Sequence, residues 1–227
     1  MILKEKLGLI YKNILSAQKK GGFDHHVKVV AVTKTRPFSF IEESYRAGVY
    51  AIGENRIQEA EKKLKQPEIT PGLIHRFIGH LQSNKVNKCL NIFDTIDSVN
   101  SHKLARKISN RASELGRKVP VLLQINTSGE SQKSGFNPEQ VDEMLACISE
   151  KNILVEGLMT IGPNTKNQGE IRKSFAGLHM LLESLNAQTG EKNLRELSMG
   201  MSGDYELAVE EGSTMVRLGT VLFGGRK

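Results

Sequence analysis

Residues 27–37 read VKVVAVTKTRP. A run of mostly branched apolar residues leads into Lys34, and Thr35-Arg36-Pro37 end it. Bounded in this way, the run predicts a buried strand over Val27–Thr33. Lys34 then stands where the strand gives way to a loop. A lysine amine there, partly withdrawn from water, loses its proton more easily and can attack a carbonyl. The plainer alternative is a strand-end lysine pointing at water.

The same strand-then-helix unit recurs along the chain. Before the strand, Ile2–Lys19 carries apolar residues at helical spacing and closes at Gly21-Gly22. After it, a helix from Ser39 to Ala47, with Glu42 as capping-box partner, stops at Gly48. Strand Val49–Ile52 leads to Gly53-Glu54-Asn55, and residues 56–65 are helix-like and end before Pro67. Strand Leu73–Ile78 ends at Gly79-His80, a helix lies around Asn84–Leu90, and strand Ile92–Ile96 ends at Asp97-Ser98. The second half continues with helix Ser101–Leu115, strand Pro120–Ile125 and helix Pro138–Ser149, which has proline in its first turn. Strand Ile153–Leu158, helix Asn167–Asn186, strand Leu194–Leu197 and helix Asp204–Glu210 follow. The last strand begins at Thr214 and ends at Arg217-Leu218-Gly219-Thr220. About eight alternations in 227 residues predict a single (β/α)₈ TIM-type barrel, one domain over residues 1–227, with an extra N-terminal helix on its bottom or side. An open doubly wound sheet is the alternative, but no GxGxxG follows the first strand.

The formal charge of +7, from 32 basic and 25 acidic residues, favours anionic partners. The basic residues are scattered in short groups without interleaved aromatics, so nucleic acid is not the expected partner. Cys89 and Cys147 lie far apart with no metal-type spacing and are expected to be free, buried thiols in a reducing compartment. The histidines form no metal-binding pattern, and the adjacent pair His25-His26 would point apart in a strand. No apolar run approaches the roughly 18 residues that span a bilayer, and the N-terminus lacks a signal-peptide core, so a cytoplasmic protein with no membrane contact is expected.

In such barrels the site lies at the C-terminal ends of the strands. Lys34, Asn55, His80, Asn126, Ser198, Ser202 and Arg217 all fall there. Each has a dull explanation alone: Asn55, Ser198 and Ser202 as helix caps, His80 as a loop histidine, Arg217 as partner of Glu210 or Glu211. Their collection at one rim is the less ordinary fact. Ser198-Met199-Gly200-Met201-Ser202-Gly203-Asp204 is a small-residue loop entering a helix, and its N–H groups and hydroxyls suit a phosphate. Gly219-Thr220 adds another N–H and a hydroxyl. A lysine amine at the first strand and a phosphate cradle at the seventh and eighth suggest a phosphate-bearing aldehyde, and pyridoxal 5′-phosphate fits. Arg217, placed against the pyridine nitrogen, would leave that nitrogen unprotonated and the ring a poor electron sink. An aldolase-type Schiff base with a sugar or keto acid on Lys34 is also compatible with the residues alone.

The motifs AVTKTRP (31–37), GENRIQEA (53–60), FIGHLQSNK (77–85), IDSV (96–99), INTSGESQKSGF (125–136), GLMTIGP (157–163), LSMGMSGDYELA (197–208) and VRLGTVLFGGR (216–226) together resemble the pyridoxal phosphate homeostasis proteins, relatives of the N-terminal barrel of alanine racemase. The likeness runs nearly end to end, and several motifs in order are far more specific than any one. It implies cofactor bound through Lys34, Asn55 near the ring, Arg217 at the pyridine nitrogen, and Ser202, Gly219 and Thr220 at the phosphate. Ser198, Met199 and His80 are implied as further neighbours. One departure is visible: His75-Arg76 precede Phe77-Ile78-Gly79, where the family more often has Trp-His at a rim contact.

The resemblance implies a carrier in intracellular pyridoxal phosphate homeostasis, holding the aldehyde as a Schiff base and handing it to pyridoxal phosphate-dependent apoenzymes, with no catalytic residue. Alanine racemases carry a further β domain that supplies a tyrosine base, and no residues follow Lys227 to build one. Two-base racemisation needs a group on each face of the substrate. Of the tyrosines, Tyr205 lies nearest the site and is expected to pack within its helix. The rivals are a single-domain amino acid racemase or lyase using the same imine, and a barrel whose basic surface binds an acidic partner.

Overall fold

The computed structural model describes residues 2–64, 69–190 and 193–225. Eight parallel strands close into a barrel in chain order, with the last pairing back to the first. They are β1 (Lys28–Val32), β2 (Ala51–Glu54), β3 (Ile74–Phe77), β4 (Thr95–Val99), β5 (Val119–Gln124), β6 (Ile153–Met159), β7 (Glu196–Ser198) and β8 (Met215–Leu218). The intervening helices are α2 (Phe38–Arg46), α3 (Ile57–Lys63), α4 (Val86–Leu90), α5 (His102–Glu114), α6 (Val141–Ile148), α7 (Gln168–Thr189) and α8 (Tyr205–Glu210). Parallel neighbours need a crossover, and each helix lays an apolar face over the strands it joins. The expected barrel is therefore the observed one.

The N-terminal helix α1 (Leu3–Gly21) covers the barrel's side. Its Leu3, Leu7, Ile10, Ile14 and Ala17 stripe is buried with β1, β8 and Tyr205. The helix runs through Gly21 and ends where Gly22 takes a left-handed φ of 77°. A short helix, α9 (Thr220–Phe223), follows β8 and packs against α1. The sequence marks Gly219-Thr220 only as a strand end, because one helical turn has no periodicity to detect. Among the described residues no helix is long and apolar enough to cross a membrane.

Two strands lie further along the chain than their apolar runs suggest. The expected Val49–Ile52 and Ile92–Ile96 become Ala51–Glu54 and Thr95–Val99. The cause is the same in both. Glu54 and Asp97 look like strand-ending charges, yet each is fully buried by a cation from a neighbouring element, Lys63 of α3 and Arg76 of β3. Likewise Ser198 and Arg217 lie inside β7 and β8. The expected capping box on Ser39 is absent. Pro37 precedes α2 without a side-chain cap, and Glu42 pairs instead with Arg46. Pro138 sits in a turn before α6, where the Gln140 side chain accepts the Asn137 N–H at 2.7 Å. The expected end of α3 before Pro67 falls partly outside the described residues.

Cys89 and Cys147 are free and buried, and burial pushes both thiols up to about 12.

The barrel's interior towards its N-terminal end is charged. Arg76 Nε and Nη2 donate to the Asp97 carboxylate at 2.8 and 3.0 Å, and Thr95 adds a third bond at 3.0 Å. Lys28 pairs with Glu196, and burial holds the Glu156 carboxyl above its usual range. His75-Arg76 thus lie within β3. Removing one partner of a buried pair leaves an uncompensated charge. Asp97→Ala is expected to lower the urea-unfolding free energy by about 3 kcal/mol, and the apolar double replacement Arg76→Met/Asp97→Leu to recover most of it. A single replacement without effect on the urea midpoint would show that the pair is not stabilising.

Candidate functional site

Eight of the residues picked from the sequence line two adjoining cavities at the C-terminal rim. A cavity of about 240 Å³ is lined by Lys34, Ser202, Arg217, Gly219 and Thr220. A second of about 330 Å³ is lined by Lys34, Asn55 and His80, with Asn126 and Lys133 opposite. Lys34 and Ile78 form the wall common to both. Cavities of this combined size suit a small ligand, for which ~300–1,000 Å³ is usual.

Arg217 is the fixed point of the smaller cavity. Its Nη1 donates to the Ser198 carbonyl at 2.7 Å and hydroxyl at 2.8 Å, and its Nη2 to the Thr160 carbonyl at 2.7 Å. The guanidinium is thus held by the ends of β6 and β7. Burial pushes it down to about 10, against the pull of Asp97 and Asp204, and Arg76 adds to the fall. It remains a cation at neutral pH. Its partner is not Glu210 or Glu211, both of which are bound to Arg172.

The loop after β7 turns sharply at Gly200, where φ is 94° and an added Cβ would lie 2.7 Å from the Ala208 side chain. Asp204 Oδ1 accepts the Met201 N–H at 2.6 Å and steadies the turn. Burial raises the Asp204 carboxyl, opposed by that N–H and by Arg217. Ser202 is thereby aimed across the rim. Its hydroxyl oxygen accepts the N–H groups of Gly219 at 3.3 Å and Val221 at 3.1 Å. Two amides thus engage the lone pairs of the Ser202 oxygen, which leaves its hydrogen to donate at the cavity edge.

The larger cavity is set by the close approach of two strand ends. A Cβ on Gly79 would lie 2.3 Å from the Asn55 carbonyl oxygen, so only glycine lets β2 and β3 meet there. Asn55 Oδ1 is buried with no hydrogen-bond partner. His80 is exposed at the cavity mouth. Two picked residues stand back from both cavities. Ser198 lies behind Arg217 as its acceptor, and Met199 is fully buried in the apolar core beside Leu197 and Ala208. Tyr205 packs as expected, and its hydroxyl accepts from Asn13 of α1 at 2.9 Å.

Sequence reasoning missed three contributors. Thr160 acts through its carbonyl, which no residue type announces. Arg36, next to the strand-ending Thr35, lines the smaller cavity and donates to the carbonyls of Gly224 and Gly225 at 2.7 and 2.9 Å. Lys133 reaches the larger cavity while bonded to Glu130 and, at 2.8 Å, to the Gly162 carbonyl. Its place inside the motif at 125–136 was the available signal.

Comparison with known proteins shows the family to which this fold belongs. Residues 6–227 match the family described as alanine racemase, N-terminal domain. A pyridoxal phosphate homeostasis protein of Vibrio alginolyticus is 41% identical over 214 residues, covering 92% of this chain and 91% of that one. The structure of PipY from Synechococcus elongatus with PLP bound superposes with a TM-score of 0.86 at 35% identity, over 98% of this chain and all of that one. Alanine racemase of Clostridium difficile, complexed with cycloserine, shares the fold at a TM-score of 0.75 and 21% identity, and this chain covers 95% of itself and 59% of the racemase. The chain belongs to the pyridoxal phosphate homeostasis protein family, built on the alanine racemase N-terminal barrel.

Proposed function

We propose that this chain binds pyridoxal 5′-phosphate through a Schiff base on Lys34, as one barrel domain in the cytoplasm, and hands the cofactor to apoenzymes without sustained turnover of its own. The observation that carries this is the place of Lys34, in the wall shared by a cavity with Ser202, Arg217 and Thr220 and a cavity with Asn55 and His80. The PLP-bound relative PipY supports it.

Bound pyridoxal phosphate supplies an aldehyde, a pyridine nitrogen and a phosphate. The residues present fit each. Lys34 provides the amine for the aldehyde. The Ser202 hydroxyl, whose oxygen is taken by two amides and whose hydrogen is left to donate, and the Thr220 hydroxyl would provide for the phosphate. Arg217, a cation with donors anchored on β6 and β7, would stand against the pyridine nitrogen and would keep a proton off it. The buried, unpartnered Asn55 oxygen calls for a donor, which a ring hydroxyl supplies.

Retention is favoured over turnover because Arg217 leaves the ring a weak electron sink. The distant likeness to alanine racemase favours the rival, a single-domain racemase or lyase. Against it, neither cavity has a tyrosine in its lining, and two-base racemisation needs a proton-transfer group on each substrate face.

Protein loaded with pyridoxal phosphate is expected to be yellow, and borohydride followed by peptide mapping to place the adduct on Lys34. Lys34→Ala is expected to weaken binding by about 100-fold or more. Protein that stays colourless with added cofactor, or label spread over surface lysines, refutes the proposal. In deuterium oxide, loaded protein is expected to exchange the α-proton of amino acids no faster than free pyridoxal phosphate does. Fast exchange on one amino acid would make the chain an enzyme.

A further inference from the structure

Lys34 sits between two threonines that the site itself does not use. Thr33 and Thr35 are both tied to one buried cluster in the layer between the barrel and α3. Lys63 Nζ donates to Glu54 Oε1 at 2.7 Å, Glu59 Oε1 at 3.1 Å and the Thr33 carbonyl at 2.9 Å. Thr33 Oγ1 donates to the same Glu54 oxygen at 2.5 Å, and the Thr35 N–H donates to Glu59 Oε1 at 2.5 Å. The Lys63 side chain is 6% exposed and that of Glu54 is sealed. All three ammonium hydrogens have acceptors, so Lys63 is a brace rather than a second amine for a ligand.

The second observation is backbone strain. Thr35 has φ of 64° and is the one non-glycine residue with positive φ among those described. A β-branched residue is a genuine outlier there and holds that conformation only when its surroundings impose it. The Arg36 N–H closes the turn onto the Thr33 carbonyl at 3.0 Å, and the Glu59 carboxylate, itself held by Lys63, restrains it through the Thr35 N–H. Glu59 lies below its usual carboxylate range: burial works to raise it, but the bonds from Lys63 and Thr35 prevail.

We propose that Lys63 and Glu59 are positioning residues: they clamp Thr33 and Thr35 in the one backbone conformation that points Lys34 into the wall between the two cavities. Without the clamp Thr35 relaxes to negative φ, the turn rotates and the Lys34 amine leaves the shared wall. The inference rests on the proposed attachment at Lys34, but its test also reads the protein without cofactor.

The decisive variants are Glu59→Gln, Thr35→Gly and the pair together. Glutamine keeps the size and removes the charge. Glycine adopts positive φ without strain and keeps the N–H. Two rates are measured in each: dissociation of pyridoxal phosphate, followed by absorbance, and modification of Lys34 in cofactor-free protein by trinitrobenzenesulfonate, mapped by mass spectrometry. Glu59→Gln is expected to change both by about tenfold, the scale of one charge-assisted hydrogen bond, with thermal unfolding still cooperative. Thr35→Gly alone is expected to change them less than about twofold, and the double variant to recover most of the loss, because no strain remains to be restrained. Unchanged Lys34 labelling in Glu59→Gln overturns the clamp, and so does a double variant as impaired as Glu59→Gln alone. If the wild type binds no pyridoxal phosphate the cofactor proposal fails, and the labelling rates still decide the clamp.

Discussion

A guanidinium sealed inside a closed barrel must give its hydrogen bonds to the strands beside it. Arg217 does so, and much of the rim follows from that requirement. Its donors reach the Ser198 and Thr160 carbonyls, which ties β8 to the ends of β7 and β6. The loop after β7 starts from that pinned point, turns at Gly200 and sets Ser202 over the amides of Gly219 and Val221. Those amides belong to the chain just after Arg217 itself. The circuit closes on one side of the barrel, so the charge and the oxygen-binding amides keep a fixed separation. Asp97 and Asp204 keep the cation charged where burial alone would weaken it.

The neighbouring stretch of the rim, at β1 and β2, is organised by a second set of charges. Lys63, Glu54 and Glu59 stabilise one another in the layer outside β1 and β2. They hold the backbone on either side of Lys34. The two clusters therefore act from neighbouring strands, one through a side chain on β8 and one through the strained turn after β1. Neither depends on the apolar core for direction. The core supplies the closed barrel, and the buried polar bonds select where the loop ends point.

Much of this is legible in the sequence, for reasons that are local. Lys34, Asn55 and His80 each end or follow an apolar run, and the small residues at 198–203 announce a turn. Strand and helix alternation carries the barrel. The failures are also physical. Glu54 and Asp97 read as strand ends because nothing nearby in sequence reveals Lys63 at helical distance or Arg76 on the next strand. Met199 falls inside the recognised motif yet turns into the core, since alternation along an irregular loop is not readable. The contact from Arg36 to Gly224 spans 188 positions, and the Thr160 carbonyl is backbone. Contacts made by backbone atoms or across such distances leave no pattern in composition or spacing.

Storage and turnover make opposite demands on a bound aldehyde. Turnover needs a ring that accepts electrons and a second proton-transfer group across the substrate. Storage needs a reversible bond, a fixed anchor and a way out. On the proposed function, the Arg217 cation would oppose the first demand, since it does not lend a proton to a ring nitrogen at neutral pH. A cavity wall shared by two chambers serves the second, because the anchor is reached from both. Both chambers reach solvent, the wider at the exposed His80 and the smaller at the exposed Thr220. On the proposed function, the cofactor would leave by either chamber only after its link to Lys34 breaks, and that link is the step storage has to control.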